Sequence, residues 1–134
     1  MKILIVDDEL IARMSAEKFL KEYGNCDLAE DGNHAVDAVK LSLEQKEPYD
    51  FISLDVDMPN LSGQQALEQI RELEEQHGYP PGKGAKVMML TSHRDSDAVT
   101  KAYDSFCDVY TTKPISAAVI KRQLILLGLL DEEA

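Results

Sequence analysis

Lys2-Ile3-Leu4-Ile5-Val6-Asp7-Asp8 and Phe51-Ile52-Ser53-Leu54-Asp55 decide the fold. Each is a short apolar run that ends in acid. Runs of this kind, without polar alternation, read as strands buried on both faces, the environment of a parallel sheet. Parallel strands all end on one edge, so two neighbouring runs bring Asp7, Asp8 and Asp55 to one spot. Like charges repel and raise one another's pKa. Three converging carboxylates therefore call for a hard cation, and oxygen donors suit Mg²⁺ best.

Strand and helix patterns alternate outward from these runs. Strand patterns cover Lys2–Val6, Asp27–Ala29, Phe51–Leu54, Lys86–Leu90 and Val109–Thr111. Leu10 to Tyr23 carries Ile11, Met14, Phe19 and Leu20 at helical spacing and stops at Gly24-Asn25. Gly32 to Lys46 is a second helix with Ala35, Val36, Ala38, Val39 and Leu43 on its inner face. Ser62, with Gln65 as its capping-box partner, starts a helix that runs to Gln76. Gly78 to Gly84 reads as a loop. A weaker helix is expected over Ser96–Ser105, and a last one runs from the Ser116 cap to Leu127. This alternation predicts an α/β fold, a doubly wound (βα)5 parallel sheet. Its expected strand order is the flavodoxin-like 2-1-3-4-5, with the switch point between strands one and three and ligands bound at their carboxyl ends.

The chain has 134 residues, which suits one domain, here taken as 1–128 with a short acidic tail at 129–134. Its net charge of −11 argues against nucleic acid or an anionic membrane as a direct partner. No apolar run reaches the ~20 residues of a membrane span. Cys26 and Cys107 lack metal-ligand spacing and read as reduced thiols in a cytoplasmic setting.

Two more residues fall on the acidic edge. Thr91 follows strand four, and Lys113 follows strand five. Asp and Thr often end strands as turn residues, but the five together suit phosphoryl transfer to a carboxylate. A metal and a lysine neutralise phosphoryl oxygens, and a hydroxyl donates to one of them.

In these residues the chain resembles the receiver domain of two-component response regulators. The resemblance runs from Lys2 to about Leu127. It rests on Val6-Asp7-Asp8-Glu9, on Asp55-Val56-Asp57-Met58-Pro59 with Gly63 as D-x-x-M-P-x-x-x-G, on Leu90-Thr91-Ser92, and on Lys113-Pro114. It implies that Asp55 accepts the phosphoryl group from a sensor histidine kinase or phosphotransfer protein. It implies Mg²⁺ on Asp8, Asp55 and the backbone carbonyl of Asp57, with Asp7 acting through water. Lys113 would pair with Asp55 and then with the phosphoryl group, and the Lys113-Pro114 bond would be cis. Thr91 would close on the phosphoryl oxygen, and Tyr110 would turn inward as the switch aromatic. Such a domain catalyses its own phosphorylation and dephosphorylation without being a turnover enzyme. With no output segment after the last helix, it would act in trans on a protein partner, by a phosphorylation-dependent dimer among other routes.

The sequence departs from the family in several places. Asp57 and His93 flank the phosphoryl position and are expected to tune its lifetime. Phe106 stands where a small residue is usual, and the Gly78–Gly84 loop is long. The Leu124–Leu130 stretch is unusually apolar, and reads either as packing back on the body or as a partner surface. Two alternatives remain. Asp55-Val56-Asp57 resembles the D-x-D pair of haloacid-dehalogenase-like phosphatases, although that class places further metal-binding acids after its lysine. The chain could also be a binding module that no longer uses phosphorylation.

Overall fold

The computed structural model describes residues 1–92 and 106–132; the helix expected over Ser96–Ser105, and His93, lie outside them. Strands β1 (Lys2–Val6), β2 (Asn25–Ala29), β3 (Phe51–Asp55), β4 (Lys86–Thr91) and β5 (Val109–Thr112) form one sheet. Its order is β2-β1-β3-β4-β5, and every pairing is parallel, as the alternation predicts. The helices among the described residues are α1 (Leu10–Leu20), α2 (Gly32–Glu44), α3 (Gly63–Gln76) and α4 (Ala117–Leu126). None of them is long and apolar enough to cross a membrane.

The apolar runs are continuous because both faces of the sheet are covered. Leu4, Val6, Ile52, Leu54, Val87 and Met89 face α2 and α3, where Ala35, Val39, Leu43, Leu67 and Ile70 meet them. Ile3, Ile5, Phe51, Met88 and Leu90 face α1 and α4, where Ala16, Leu20, Ile120 and Leu124 meet them. Each Val, Leu, Ile, Met or Phe buried there contributes about 1.5–3 kcal/mol. Ser62 and Gln65 form the expected capping box on α3, and Ser116 caps α4. Asp31 caps α2 by accepting the His34 N–H at 2.8 Å.

Helix α1 differs from its expected form. It ends at Leu20 rather than Tyr23, and β2 begins at Asn25 rather than Asp27. The cause lies in the first residue. Asn25 N–H donates to the Met1 carbonyl at 3.0 Å, and a Cβ on Gly24 would sit 2.0 Å from that oxygen. The chain must therefore turn early to enter the sheet. Edge pairing uses backbone groups, so polar Asn25 can join it. The inner face also differs. Ala16 and Leu20 are buried, whereas Ile11 and Met14 are 77% and 58% exposed.

The Leu124–Leu130 run mostly packs back on the body. Leu124 is buried, Leu127, Leu129 and Leu130 lie against the α1/α4 core, and Leu126 faces solvent. Gly128 at φ +76° closes α4. Its N–H bonds to the Ile125 carbonyl and the Leu129 N–H to the Leu124 carbonyl, the Schellman arrangement that turns the chain back.

A clamp holds the opposite edge of the sheet. The Arg71 guanidinium donates to Glu74 Oε1 at 2.7 Å, the Ala85 carbonyl at 2.8 Å, the Phe106 carbonyl at 2.8 Å and Asp108 Oδ2 at 3.1 Å. Glu74 Oε2 accepts the Ala85 N–H, and Asp108 Oδ2 accepts the Val87 N–H. A Cβ on Gly84 would collide with the Glu74 carboxylate. Replacing Arg71 by Met strands a buried carboxylate and should cost about 2–3 kcal/mol. Urea unfolding should show the loss, and Arg71→Lys should recover only part of it, because lysine has no planar fork.

Candidate functional site

Parallel pairing builds the site. Val6 pairs with Leu54, Asp55 with Leu90, and Thr91 with Thr112, so the strand ends line up. Asp7 and Asp8 leave β1, Asp55 ends β3, Thr91 ends β4, and Lys113 follows β5. Carboxylate oxygens of Asp7, Asp8 and Asp55 lie within 4.8 Å of one another. Lys113 Nζ stands 3.1 Å from Asp7 Oδ2 and 3.3 Å from Asp55 Oδ1. The Asp57 N–H donates to Asp55 Oδ1 at 3.2 Å, and the Glu9 N–H to Asp7 Oδ1 at 3.0 Å. The Lys113 N–H donates to the Thr91 carbonyl at 2.7 Å, which ties the fifth residue into the edge. The Lys113-Pro114 peptide is cis.

Asp7, Asp55 and Thr91 are buried, while Asp8 and Asp57 are exposed at the mouth. Burial first, and then the charge of Asp7, push the Asp55 carboxyl up to about 7, against the pull of Lys113 and the Asp57 N–H. Burial works to lower Lys113, but its hydrogen bond to Asp7 and the charges of Asp55 and Asp7 outweigh it, so its pKa stands above the ordinary value. Among the described residues three acids thus share one ammonium, and Asp55 is the acid that burial and the charge of Asp7 make hardest to ionise. A hard divalent cation fits this donor set, since all the donors are oxygen and their charge is unbalanced. Tyr110 is half-buried against the α2/α3 core beside Met89, its partner on β4.

Two contributors have structural roles that the sequence alone did not reveal. Gly63 seats the start of α3 on the nucleophile's backbone, where a Cβ would lie 2.3 Å from the Asp55 carbonyl oxygen. Arg13 Nη1 donates to the Asp7 carbonyl at 2.7 Å. Gly63 was legible only as the end of a motif, and Arg13 only as a polar helix position.

The family profile of the response regulator receiver domain matches residues 3–125. The chain belongs to this family. The receiver is 32% identical over 126 residues to the chemotaxis protein CheY-3 of Vibrio cholerae, covering 92% of this chain and 88% of that one. It is 34% identical over 125 residues to the probable histidine kinase 2 of Oryza sativa, covering 86% of this chain but 12% of that protein. The chain thus spans about an eighth of this relative's length. Among solved structures it resembles the receiver domain of Saccharomyces cerevisiae Ssk1, co-crystallised with the histidine phosphotransfer protein Ypd1. The TM-score is 0.78 at 26% identity, over 98% of this chain and 93% of that one.

The buried charge of the receiver has a consequence for stability. The unfolded Asp55 carboxyl ionises near the ordinary value of 3.8, and the folded one near 7. As pH rises between these values, the unfolded chain releases a proton that the folded one keeps, so this group costs stability, in full above about pH 7. In metal-free buffer at pH 8, Asp55→Asn should raise Tm by about 3–8 °C. The gain should fade toward pH 4 and shrink when Mg²⁺ is added, as a pH series of thermal melts will show.

Proposed function

We propose that this receiver takes a phosphoryl group from a phosphohistidine onto Asp55 and passes the signal on through its β4–β5 side. An Asp55 oxygen attacks phosphorus in line, the P–N bond to the imidazole breaks, and an aspartyl phosphate results. The leaving imidazole keeps the electron pair. The observation that carries this reading is Lys113 Nζ, held between Asp7 and Asp55. From there it stays on hand for a phosphoryl oxygen as charge builds up. Asp7, Asp8, Asp55 and the Asp57 carbonyl would hold Mg²⁺, which supplies positive charge against the phosphoryl oxygens. Thr91 donates its hydroxyl to one of those oxygens, and Tyr110 follows it inward. Asp57 at the mouth, together with His93, sets how long the phosphate survives.

The donor must bring its imidazole to a buried carboxylate, so it must cover the surface beside Asp8. That surface is apolar. Leu10, Ile11 and Met14, within six residues of Asp8, are 61%, 77% and 58% exposed. A kinase or histidine phosphotransfer protein, the class of protein co-crystallised with the Ssk1 receiver, fits a patch of this kind. A cytoplasmic setting follows, since the donors of such systems act there.

Acetyl phosphate with Mg²⁺ should add one phosphoryl group by intact mass, and Asp55→Asn should abolish it. An unchanged gain in that variant places the acceptor elsewhere and removes the reading. Ile11→Lys should slow transfer from a phosphohistidine protein about tenfold, through lost apolar contact of ~1.4 kcal/mol. It should leave the acetyl phosphate rate as it was, which separates docking from chemistry.

A further inference from the structure

The three acids of the site are held in different ways. Asp7 is fixed through its side chain, by the Glu9 N–H on one oxygen and Lys113 on the other. Asp55 is fixed by Lys113 and the Asp57 N–H. Asp8 is exposed, and among the described residues nothing hydrogen-bonds its carboxylate. Its direction therefore comes from its backbone. The peptide that sets that backbone is the Asp7–Asp8 unit, whose carbonyl accepts Arg13 Nη1 at 2.7 Å. The preceding peptide is held too, since the Asp7 N–H donates to the Ala29 carbonyl at 3.2 Å. Arg13 stands on the first turns of α1, where its own N–H bonds the Glu9 carbonyl at 3.0 Å. One residue thus closes the turn from both its backbone and its side chain.

We propose that Arg13 is a positioning residue for the metal: it locks the Asp7–Asp8 peptide plane so that Asp8 faces the cluster, and so favours Mg²⁺ over Ca²⁺. This rests on reading Asp7, Asp8 and Asp55 as the Mg²⁺ site. Mg²⁺ demands near-octahedral geometry at short distances, whereas Ca²⁺ accepts loose and variable oxygen sets. A turn released from Arg13 penalises the strict ion and spares the tolerant one. Charge alone predicts the opposite. Removing a guanidinium near a cation site lowers repulsion and tightens both ions. The sign of the change therefore separates positioning from electrostatics.

The test is calorimetric titration of MgCl₂ and of CaCl₂ into the metal-free protein, for wild type, Arg13→Met, Arg13→Lys and, as a control on the exposed side of α1, Lys18→Met. Arg13→Met should weaken Mg²⁺ about tenfold, as loss of an outer-sphere partner does, and weaken Ca²⁺ less. Arg13→Lys should recover part of the loss, because its ammonium can reach the same carbonyl, and it serves alone if the Met variant does not fold. Lys18→Met should match wild type. Equal or tighter Mg²⁺ binding by Arg13→Met, or equal losses for both ions, overturns the proposal. Wild type that binds no Mg²⁺ overturns the metal reading itself, and the proposal with it.

Discussion

One ammonium between two buried carboxylates is the constraint on which the site depends. Lys113 Nζ reaches both Asp7 and Asp55 from just past the end of β5, on the far side of β4 from β3. Neither acid can sit there without it, since an unpaired buried charge costs several kcal/mol. Yet one ammonium cannot satisfy both, and Asp8 adds a third negative charge at the rim. The order β2-β1-β3-β4-β5 serves this pairing, for it places β1 beside β3 and β5 beside β4 with all their ends on one edge.

That constraint explains why so much of the rest is rigid. A sheet buried on both faces fixes the strand ends to within the tolerance of side-chain packing. Gly63 lets α3 begin directly on the Asp55 backbone, and the Ser62–Gln65 box keeps that beginning in place. Nothing in the site is carried on a long unsupported loop among the described residues. Its acids stand at strand ends or one or two residues beyond, where pairing has already set the direction of the chain.

The sheet and the five edge residues were legible because they rest on short-range rules. An apolar run ending in Asp is visible without any tertiary knowledge, and parallel pairing then brings such ends together. What was not legible depends on contacts far apart in sequence. Helical spacing alone gave Ile11 and Met14 no outward direction, because Ala16 and Leu20 already fill the space over the sheet. The early start of β2 comes from Met1, whose carbonyl takes the N–H of Asn25, more than twenty residues away along the chain. Arg13 and Arg71 look alike in sequence, yet each is spent on backbone carbonyls that only the folded chain presents. Apolar Leu124–Leu130 admitted two readings, and Gly128 decided between them by turning the chain inward.

The two edges of the sheet use the same chemistry to opposite ends. At the strand beginnings, Glu74 and Asp108 meet Arg71, with Lys86 at 4.0 Å from Asp108, so two acids face two bases. Each carboxylate there also takes a backbone N–H, and the cluster is satisfied. At the strand ends, Asp7, Asp8 and Asp55 face Lys113 as the one cation among the described residues, while Arg13 is turned to a carbonyl rather than to an acid. A fold able to balance its charges at one edge leaves them unbalanced at the other. Burial, and then that imbalance, raise Asp55, and the imbalance gives a cation something to neutralise. It also makes the edge responsive to charge: an anion arriving there meets Lys113, just past the end of β5, and Thr91, at the end of β4.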